Sequence, residues 1–299
     1  MSNYTIDGFR YHVSESGSGP PIVLLHGFTG SSENWLHLAE RLSRRFRVMA
    51  IDLPGHGRTD APEDVARYRF DRVADDLIEI LEQANTGPAN WLGYSMGGRL
   101  ALYLAARHPQ KAHSLILESA SPGIIELDEK AARRAQDEAL AERILKYGIP
   151  AFVDYWQSIP LFQTQVYLPA VVRDALRAQR RKNSTIGLAN SLIGMSTGTQ
   201  PEMWSQLGQI HAPVQLIAGE LDEKFVGISQ RMAAAMSNAR LDIVGNAGHA
   251  VHLERPDEFE KLIMAFLSED RRQNLPDAEK GDKDEGRDGH LLEPGVQCR

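Results

Sequence analysis

The sequence predicts an α/β fold: a mostly parallel central sheet flanked by helices, interrupted once by an inserted helical segment. Three observations predict it. Continuous apolar runs that end in Gly/Pro loops, such as "PPIVLLHGFTG" and "FRVMAIDLPGHG", have the pattern of strands buried on both faces. These runs alternate with segments of helical spacing, which implies a parallel sheet covered on both sides. After Pro122 the alternation stops, and it resumes only at "APVQLIAGELD".

Each element has its own signal. "NYTIDGFRYHVSE" alternates apolar and polar residues around Asp7-Gly8, a dipeptide that turns a hairpin. "SENWLHLAERLSR" has helical spacing through Trp35, Leu38 and Leu42. "FDRVADDLIEILEQANTG" places Val73, Leu77, Ile80 and Leu81 on one helical face, with Gly87 as the expected stop. "ANWLGYSMGGRLALYLAARHP" reads as a short strand, a sharp turn and a helix, and "AHSLILES" as another buried strand. The final strand lies in "ARLDIVGNAGHAVHLERP", and "DEFEKLIMAFL" closes the domain as a helix. The expected organisation is a core of residues 1–122 and 209–267, with a helical lid over 123–208. Ligands bind outside the carboxyl ends of such strands, so an insertion there is placed to cover a site. From residue 268 the chain has no aromatic residue and is dominated by charge, Gly and Pro. It buries too little apolar surface to offset chain entropy, so 268–299 is expected to be a disordered charged tail.

Composition narrows the function classes. The chain has 299 residues, 42% hydrophobic and 24% charged, as in a globular protein with a well-filled core. A net charge of −7 argues against general nucleic-acid binding, which needs a basic footprint, but not against binding a small anion. The single cysteine, Cys298, excludes an intrachain disulfide and is poorly placed for a thiol nucleophile. "MSNYTIDGFR" lacks the pattern of a secretory signal, and no apolar run is long enough to span a membrane, so a cytoplasmic location is expected. The sequence sets no oligomeric state.

The chemistry concentrates in Gly93-Tyr94-Ser95-Met96-Gly97, a G-x-S-x-G motif between a strand and a helix. Glycines allow the tight turn that lifts a serine hydroxyl into a cleft. The helix that follows turns its N–H groups toward developing negative charge. A serine needs a histidine oriented by a carboxylate, in the chain order serine, acid, histidine. His249 follows the last strand and Asp222 the strand before it. His252 is a rival base, and Glu118, Glu220 and Glu223 are rival acids. Asp52, in "DLPGHG", reads as architectural. The backbone N–H groups of Met96 and Phe28 are the expected oxyanion-hole donors. His26 either holds its loop in shape or touches substrate.

Arg99 stands four residues past the serine, where an enzyme of neutral esters has no use for a cation. In "VVRDALRAQRRKN" five basic residues face one acid, with Arg173, Arg177 and Arg180 or Arg181 on one helical face. Arg133 and Arg134 form a second pair. For most of these residues a solvated charged face is the plain reading. Arginine's planar fork holds carboxylates in bidentate fashion, so arginines converging on the serine imply an anionic substrate with more than one carboxylate.

Together "HGFTGSSENW", "DLPGHG", "GYSMGGRLALY", "FVDYWQSIPLF", "STGTQPEMW", "GELDEKF" and "NAGHAVHLERP" resemble the 2-succinyl-6-hydroxy-2,4-cyclohexadiene-1-carboxylate synthases of menaquinone biosynthesis, members of the α/β-hydrolase superfamily. The resemblance runs from about residue 20 to 267. The elbow and histidine motifs belong to the whole superfamily, whereas "GYSMGGR", "GTQPEMW" and "GELDEKF" are particular to this family. The resemblance implies an α/β-hydrolase fold and a lyase that eliminates pyruvate from a tricarboxylate, with no metal or cofactor. It implies Ser95, Asp222 and His249 as the triad. It also implies Arg99, Arg133 and Arg180 as carboxylate-binding residues, with Tyr94 and Trp156 lining the pocket. Two rival readings share the motifs: a hydrolase of esters or of carbon–carbon bonds in dicarbonyl compounds, which predicts an apolar lid cavity, and a noncatalytic binding protein on the same fold.

Overall fold

The chain opens with the hairpin its alternation predicts. Strands β1 (Ser2–Ile6) and β2 (Phe9–Ser16) pair antiparallel, with Ile6 opposite Phe9. The two turn residues, Asp7 (φ 48°) and Gly8 (φ 75°), both take the left-handed conformation that fits a two-residue hairpin to twisted strands. The computed structural model describes residues 2–273. In order it continues with β3 (Pro21–Leu25), α1 (Leu36–Leu42), β4 (Arg47–Ile51), α2 (Phe70–Gln83), β5 (Ala89–Tyr94), α3 (Met96–Arg107) and β6 (Ala112–Glu118). Next come α4 (Leu127–Trp156), α5 (Ala170–Arg180) and α6 (Thr185–Gly194), with no strand between them. The sheet resumes with β7 (Val214–Gly219), α7 (Glu223–Ala235), β8 (Ala239–Val244), α8 (Val251–Glu254) and α9 (Pro256–Gln273).

The strands form one sheet in the order β1-β2-β4-β3-β5-β6-β7-β8. β2 runs antiparallel to both its neighbours, and every pairing from β4 to β8 is parallel. Alternation along β3 explains its unbroken apolar run. Val23 and Leu25 pack with Val73 and Leu77 of α2 and Leu100 and Leu104 of α3 on one face. Ile22 and Leu24 pack with Leu38 and Leu42 of α1 and Phe259 and Ile263 of α9 on the other. The α/β-hydrolase architecture expected from the motifs is therefore the one observed.

The inserted helices have their own small core, in which Ile144, Phe152 and Val153 of α4 meet Leu188 and Leu192 of α6. Within α4 the helix breaks at Gly148 (φ 75°), two residues before Pro150, which has no N–H to continue the ladder. Asn183 ties the segment to the sheet side. Its Nδ2 donates to Thr29 O (2.8 Å), and its Oδ1 accepts from Gly57 N (3.1 Å).

Two boundaries differ from expectation. α2 ends four residues before Gly87, because Asn85 (φ 52°) takes the left-handed position and Thr86 N reaches back to Leu81 O (3.0 Å). Asparagine tolerates that conformation and serves where glycine was expected. α9 continues to Gln273, so the first six residues assigned to the charged tail extend a helix. The rest of that tail, with Cys298, lies outside the described residues. No helix among the described residues is long and apolar enough to cross a membrane.

Candidate active site

The candidate nucleophile sits at the carboxyl end of β5, on a turn that only small residues permit. Ser95 has φ 50° and ψ −106°, a strained conformation for a residue with a side chain. A Cβ on Gly97 would stand 2.3 Å from Leu25 O, and one on Gly93 2.5 Å from Gly97 O, so the motif's glycines are required by backbone contact. Ser95 N donates to Glu118 O (2.8 Å), which pins the turn to the end of β6.

Asp222 and His249 leave the same sheet edge after β7 and β8. His249 Nε2 lies 3.0 Å from Ser95 Oγ, and His249 Nδ1 lies 2.6 Å from Asp222 Oδ2. Both partners are almost fully buried, and the rings of Phe225, Tyr94 and Phe162 stand around the imidazole at 4.6, 5.4 and 6.1 Å. A carboxylate 2.6 Å from one nitrogen favours the tautomer with the proton on Nδ1, leaving Nε2 to accept from the serine. Of the rivals, His252, Glu118 and Glu220 have other partners. The Glu118 carboxylate accepts from His252 N and Nδ1 (3.0 and 2.9 Å), which pairs these two with each other. The Asp52 carboxylate accepts from Ser32 N (2.5 Å) and Arg58 N (2.9 Å), joining two loops. Glu220 accepts from Asn246 N (3.0 Å).

Met96 opens α3, where first-turn N–H groups have no intrahelical partner. Phe28 lies in the loop after β3, and both residues line the same cavity as Ser95. His26 does not. Its Nδ1 lies 2.8 Å from Gly27 O and its Nε2 accepts from Leu53 N (3.0 Å), with the ring buried. Of its two readings, loop support is the one these hydrogen bonds favour. Burial pushes the imidazole pKa down to about 4, and that of neighbouring His56 down to about 3, the latter with a small further push from His26.

The cavity over Ser95 measures about 590 Å³ and lies between the sheet edge and the inserted helices. Phe28, Trp156 and Phe162 form an aromatic wall, with Phe28 and Trp156 edge to face at 5.3 Å. The indole N–H of Trp156 is buried, with no hydrogen-bond partner among the described residues. Tyr94 also lines the cavity, and burial, with the Glu118 charge, holds its phenol well above the ordinary value and therefore protonated.

Arg99 projects from the first turn of α3 into this cavity and is 9% exposed. Its Nη1 donates to Gln200 Oε1 (3.3 Å) and its Nη2 to Met195 O (3.0 Å), and no carboxylate among the described residues is within ion-pair distance. Burial first, then the nearby Arg133, lower its pKa to about 9, so it is still charged at neutral pH. Arg133 lines the cavity too, with its Nε shared between both oxygens of Asp137 (2.9 Å each). Arg180 does not reach the cavity. It is buried behind Phe162, 5.3 Å from that ring's centroid, with Nη2 3.3 Å from Gln165 Oε1. It lines a small neighbouring cleft instead. Arg134 pairs with Glu138, and Arg177 and Arg181 pair with Asp154, as solvated ion pairs.

Sequence reasoning missed a second cationic wall. Lys224, Ile228 and Arg231 of α7 recur at i, i+4 and i+7 and all line the cavity. Arg231 lies over the Trp204 ring at 4.3 Å, and neither cation is ion-paired among the described residues. The helical spacing was readable, but nothing local marked that face as turned toward Ser95. Glu126 and Glu129 stand on the lining as well. Among the described residues no cluster of three or more His, Cys, Asp or Glu could hold a metal.

Comparison with known proteins places this geometry among relatives. A family model described as alpha/beta hydrolase fold matches residues 20–256. A Bacillus subtilis (strain 168) protein provisionally named 2-succinyl-6-hydroxy-2,4-cyclohexadiene-1-carboxylate synthase is 45% identical over 269 residues, covering 89% of this chain and 98% of that one. The enzyme of that name from Serratia proteamaculans (strain 568) is 32% identical, covering 83% and 93%. The solved structure of MenH from S. aureus superposes with a TM-score of 0.83 at 37% identity, covering 87% and 98%.

The buried neutral histidines set an acid limit on stability. His26 and His56 have folded pKa values of about 4 and about 3, below 6.5, so the unfolded chain binds more protons in the interval between. Their contribution is therefore present above pH 6.5 and is lost as pH falls toward those values, by about 1.4 kcal/mol per pH unit for each group that titrates only on unfolding. Urea unfolding followed from pH 7 to pH 4.5 is expected to show a decline that shrinks by about half in His56→Leu.

Proposed function

Since the chain belongs to the α/β-hydrolase fold family and, within it, to the 2-succinyl-6-hydroxy-2,4-cyclohexadiene-1-carboxylate synthases, we propose that it eliminates pyruvate from 2-succinyl-5-enolpyruvyl-6-hydroxy-3-cyclohexene-1-carboxylate in menaquinone biosynthesis. The observation that carries this reading beyond the fold is Arg99. A buried guanidinium with only neutral partners shares a cavity with the Ser95 hydroxyl. Keeping such a charge out of water is costly unless a counter-charge arrives with the ligand. A neutral ester brings none, whereas the elimination substrate brings three carboxylates.

In the proposed reaction Ser95, His249 and Asp222 act as a proton-transfer triad. Ser95 Oγ takes the ring proton beside the succinyl ketone as His249 Nε2 takes the hydroxyl's own proton, and Asp222 stabilises the imidazolium. The ketone oxygen gains negative charge and meets the N–H groups of Met96 and Phe28, which suit an enolate as well as a tetrahedral intermediate. The ring double bond shifts, the carbon–oxygen bond to the enolpyruvyl group breaks, and the leaving enol is protonated to pyruvate. Water is neither added nor needed. Arg99 and Arg133 hold carboxylates, Tyr94 and Trp156 shape the pocket, and Lys224 and Arg231 add positive potential at its α7 side. The helices of residues 123–208 act as a lid that keeps water from the enolate. Arg180 holds that lid from behind Phe162 instead of gripping substrate in this arrangement.

A direct test is pyruvate release by the purified protein, coupled to a pyruvate-specific assay, without added metal. Ser95→Ala is expected to lower kcat by about a thousandfold or more. Rapid hydrolysis of simple aryl esters with no pyruvate formed would instead identify a hydrolase. Arg99→Ala is expected to lower kcat/KM on the tricarboxylate by about tenfold to a hundredfold, since a charge-assisted hydrogen bond is worth about 1.5–3 kcal/mol; an equal loss on a neutral ester would assign Arg99 a structural role. The exposed cations of α7 act over distance and are screened by salt. In Lys224→Ala/Arg231→Ala, kcat/KM is expected to fall while losing part of its dependence on ionic strength, with kcat little changed.

A further inference from the structure

The most informative residue outside the triad is Gln200, which is fully buried. Its side chain spans two different segments. Nε2 donates to Ser121 O (2.8 Å), and Oε1 accepts from Arg99 Nη1 (3.3 Å). Neither end can be reversed: a carbonyl oxygen only accepts and a guanidinium only donates, so the amide has a single orientation. Around it the 200–204 segment is stitched to residues 121–123 by two more bonds, Met203 N to Pro122 O (2.8 Å) and Trp204 Nε1 to Gly123 O (3.0 Å). The amide is therefore held from both sides and presents a fixed, neutral oxygen to Arg99.

Glutamate has almost the same shape as glutamine. At this position it would supply a carboxylate to a buried guanidinium, and burial alone would favour such a pair over an unpaired charge. The chain has an amide there instead. The second acceptor of Arg99, Met195 O, is also neutral. We propose that Gln200 is a positioning residue that aims Arg99 into the cavity while leaving its charge uncompensated, so that the counter-ion is supplied by a carboxylate of the substrate. This deepens the functional reading above and rests on the cavity accepting a polycarboxylate. Specificity for an anion then depends on a residue that need not touch it. The amide secures the direction of the guanidinium, and its neutrality secures the guanidinium's appetite for a ligand.

Two near-isosteric variants separate aiming and charge from mere stitching. Q200M removes both hydrogen bonds and adds no charge. Q200E keeps the shape and, beside a guanidinium, adds an ionised carboxylate. The probe is citrate, a tricarboxylate, bound by wild type and variants in isothermal calorimetry, with urea unfolding as the check on folding. Q200E is expected to weaken citrate binding by about tenfold or more, and Q200M by only about twofold to fivefold. The KM for pyruvate release is expected to follow the same order, with kcat changing less than KM. In an Arg99→Met background the two variants should bind citrate equally. If Q200M proves as damaging as Q200E or worse, Gln200 is a stitch of the fold and the proposal falls. It falls likewise if both variants unfold, if the Q200E effect survives in the Arg99→Met background, or if the wild type fails to bind citrate. A wild type that binds citrate with the predicted variant order but releases no pyruvate would overturn the reaction assigned above and leave the role of Gln200 standing.

Discussion

Glu118, at the carboxyl end of β6, ties the turn that carries Ser95 to the helix that follows His249. Its carbonyl receives Ser95 N, which fixes the strained turn, and its carboxylate receives both His252 N and Nδ1. His252 lies three residues beyond His249, so the same acid that anchors the serine also anchors the short helix following the histidine loop. Tyr94 packs its ring against His252 at 4.6 Å and closes the connection through side chains. A residue with φ of 50° holds such a conformation only when its surroundings over-determine it. Here that determination comes from hydrogen bonds on one side and from the contact of Gly97 with β3 on the other. The 3.0 Å spacing between Ser95 and His249 is the outcome of that frame, since neither residue chooses it locally.

The electrostatics of the cavity follow a different logic from the core. Some buried charges are matched by an opposite charge: Asp76 meets Arg72 and the Tyr11 hydroxyl, and Asp137 meets Arg133. At Arg99 the matching is withheld, and the guanidinium rests on a main-chain carbonyl, an amide and the face of Phe70 at 5.6 Å. Such a site is poised against its own stability, a condition common where binding has been favoured over packing. The aromatic wall of Phe28, Trp156 and Phe162 lowers the local dielectric and lengthens the reach of the charge.

Much of this was legible from residue order. The period-2 alternation around Asp7-Gly8 and the doubly apolar β3, β4 and β5 are local signals, and a parallel sheet follows from their spacing. So does the placing of Ser95, Asp222 and His249 together, because each lies in the connection after a strand and the sheet edge is common to all three. Less was legible where three-dimensional packing decides. Arg180 and Arg133 look equivalent in composition, yet the turn of α5 sends Arg180 behind Phe162 while Arg133 faces the cavity. Lys224 and Arg231 lie on a helix of the core, and their orientation toward Ser95 depends on how α7 packs against β7 and β8. The end of α2 at Asn85 and the extension of α9 to Gln273 are decided by capping geometry and by helical continuation that composition does not encode.

Phe28 carries one further implication. Its backbone belongs to the loop beside the serine, while its ring is wedged among Trp156, Phe152 and His56. Displacement of the inserted helices therefore tugs on a peptide that lines the same cavity as Ser95, and the two cannot be redesigned separately. A chimera that grafted a foreign cap onto this scaffold would inherit a slack anchor unless it brought its own aromatic partners for that ring. In this architecture the inserted helices and the scaffold meet through one phenylalanine ring, and each constrains the other there.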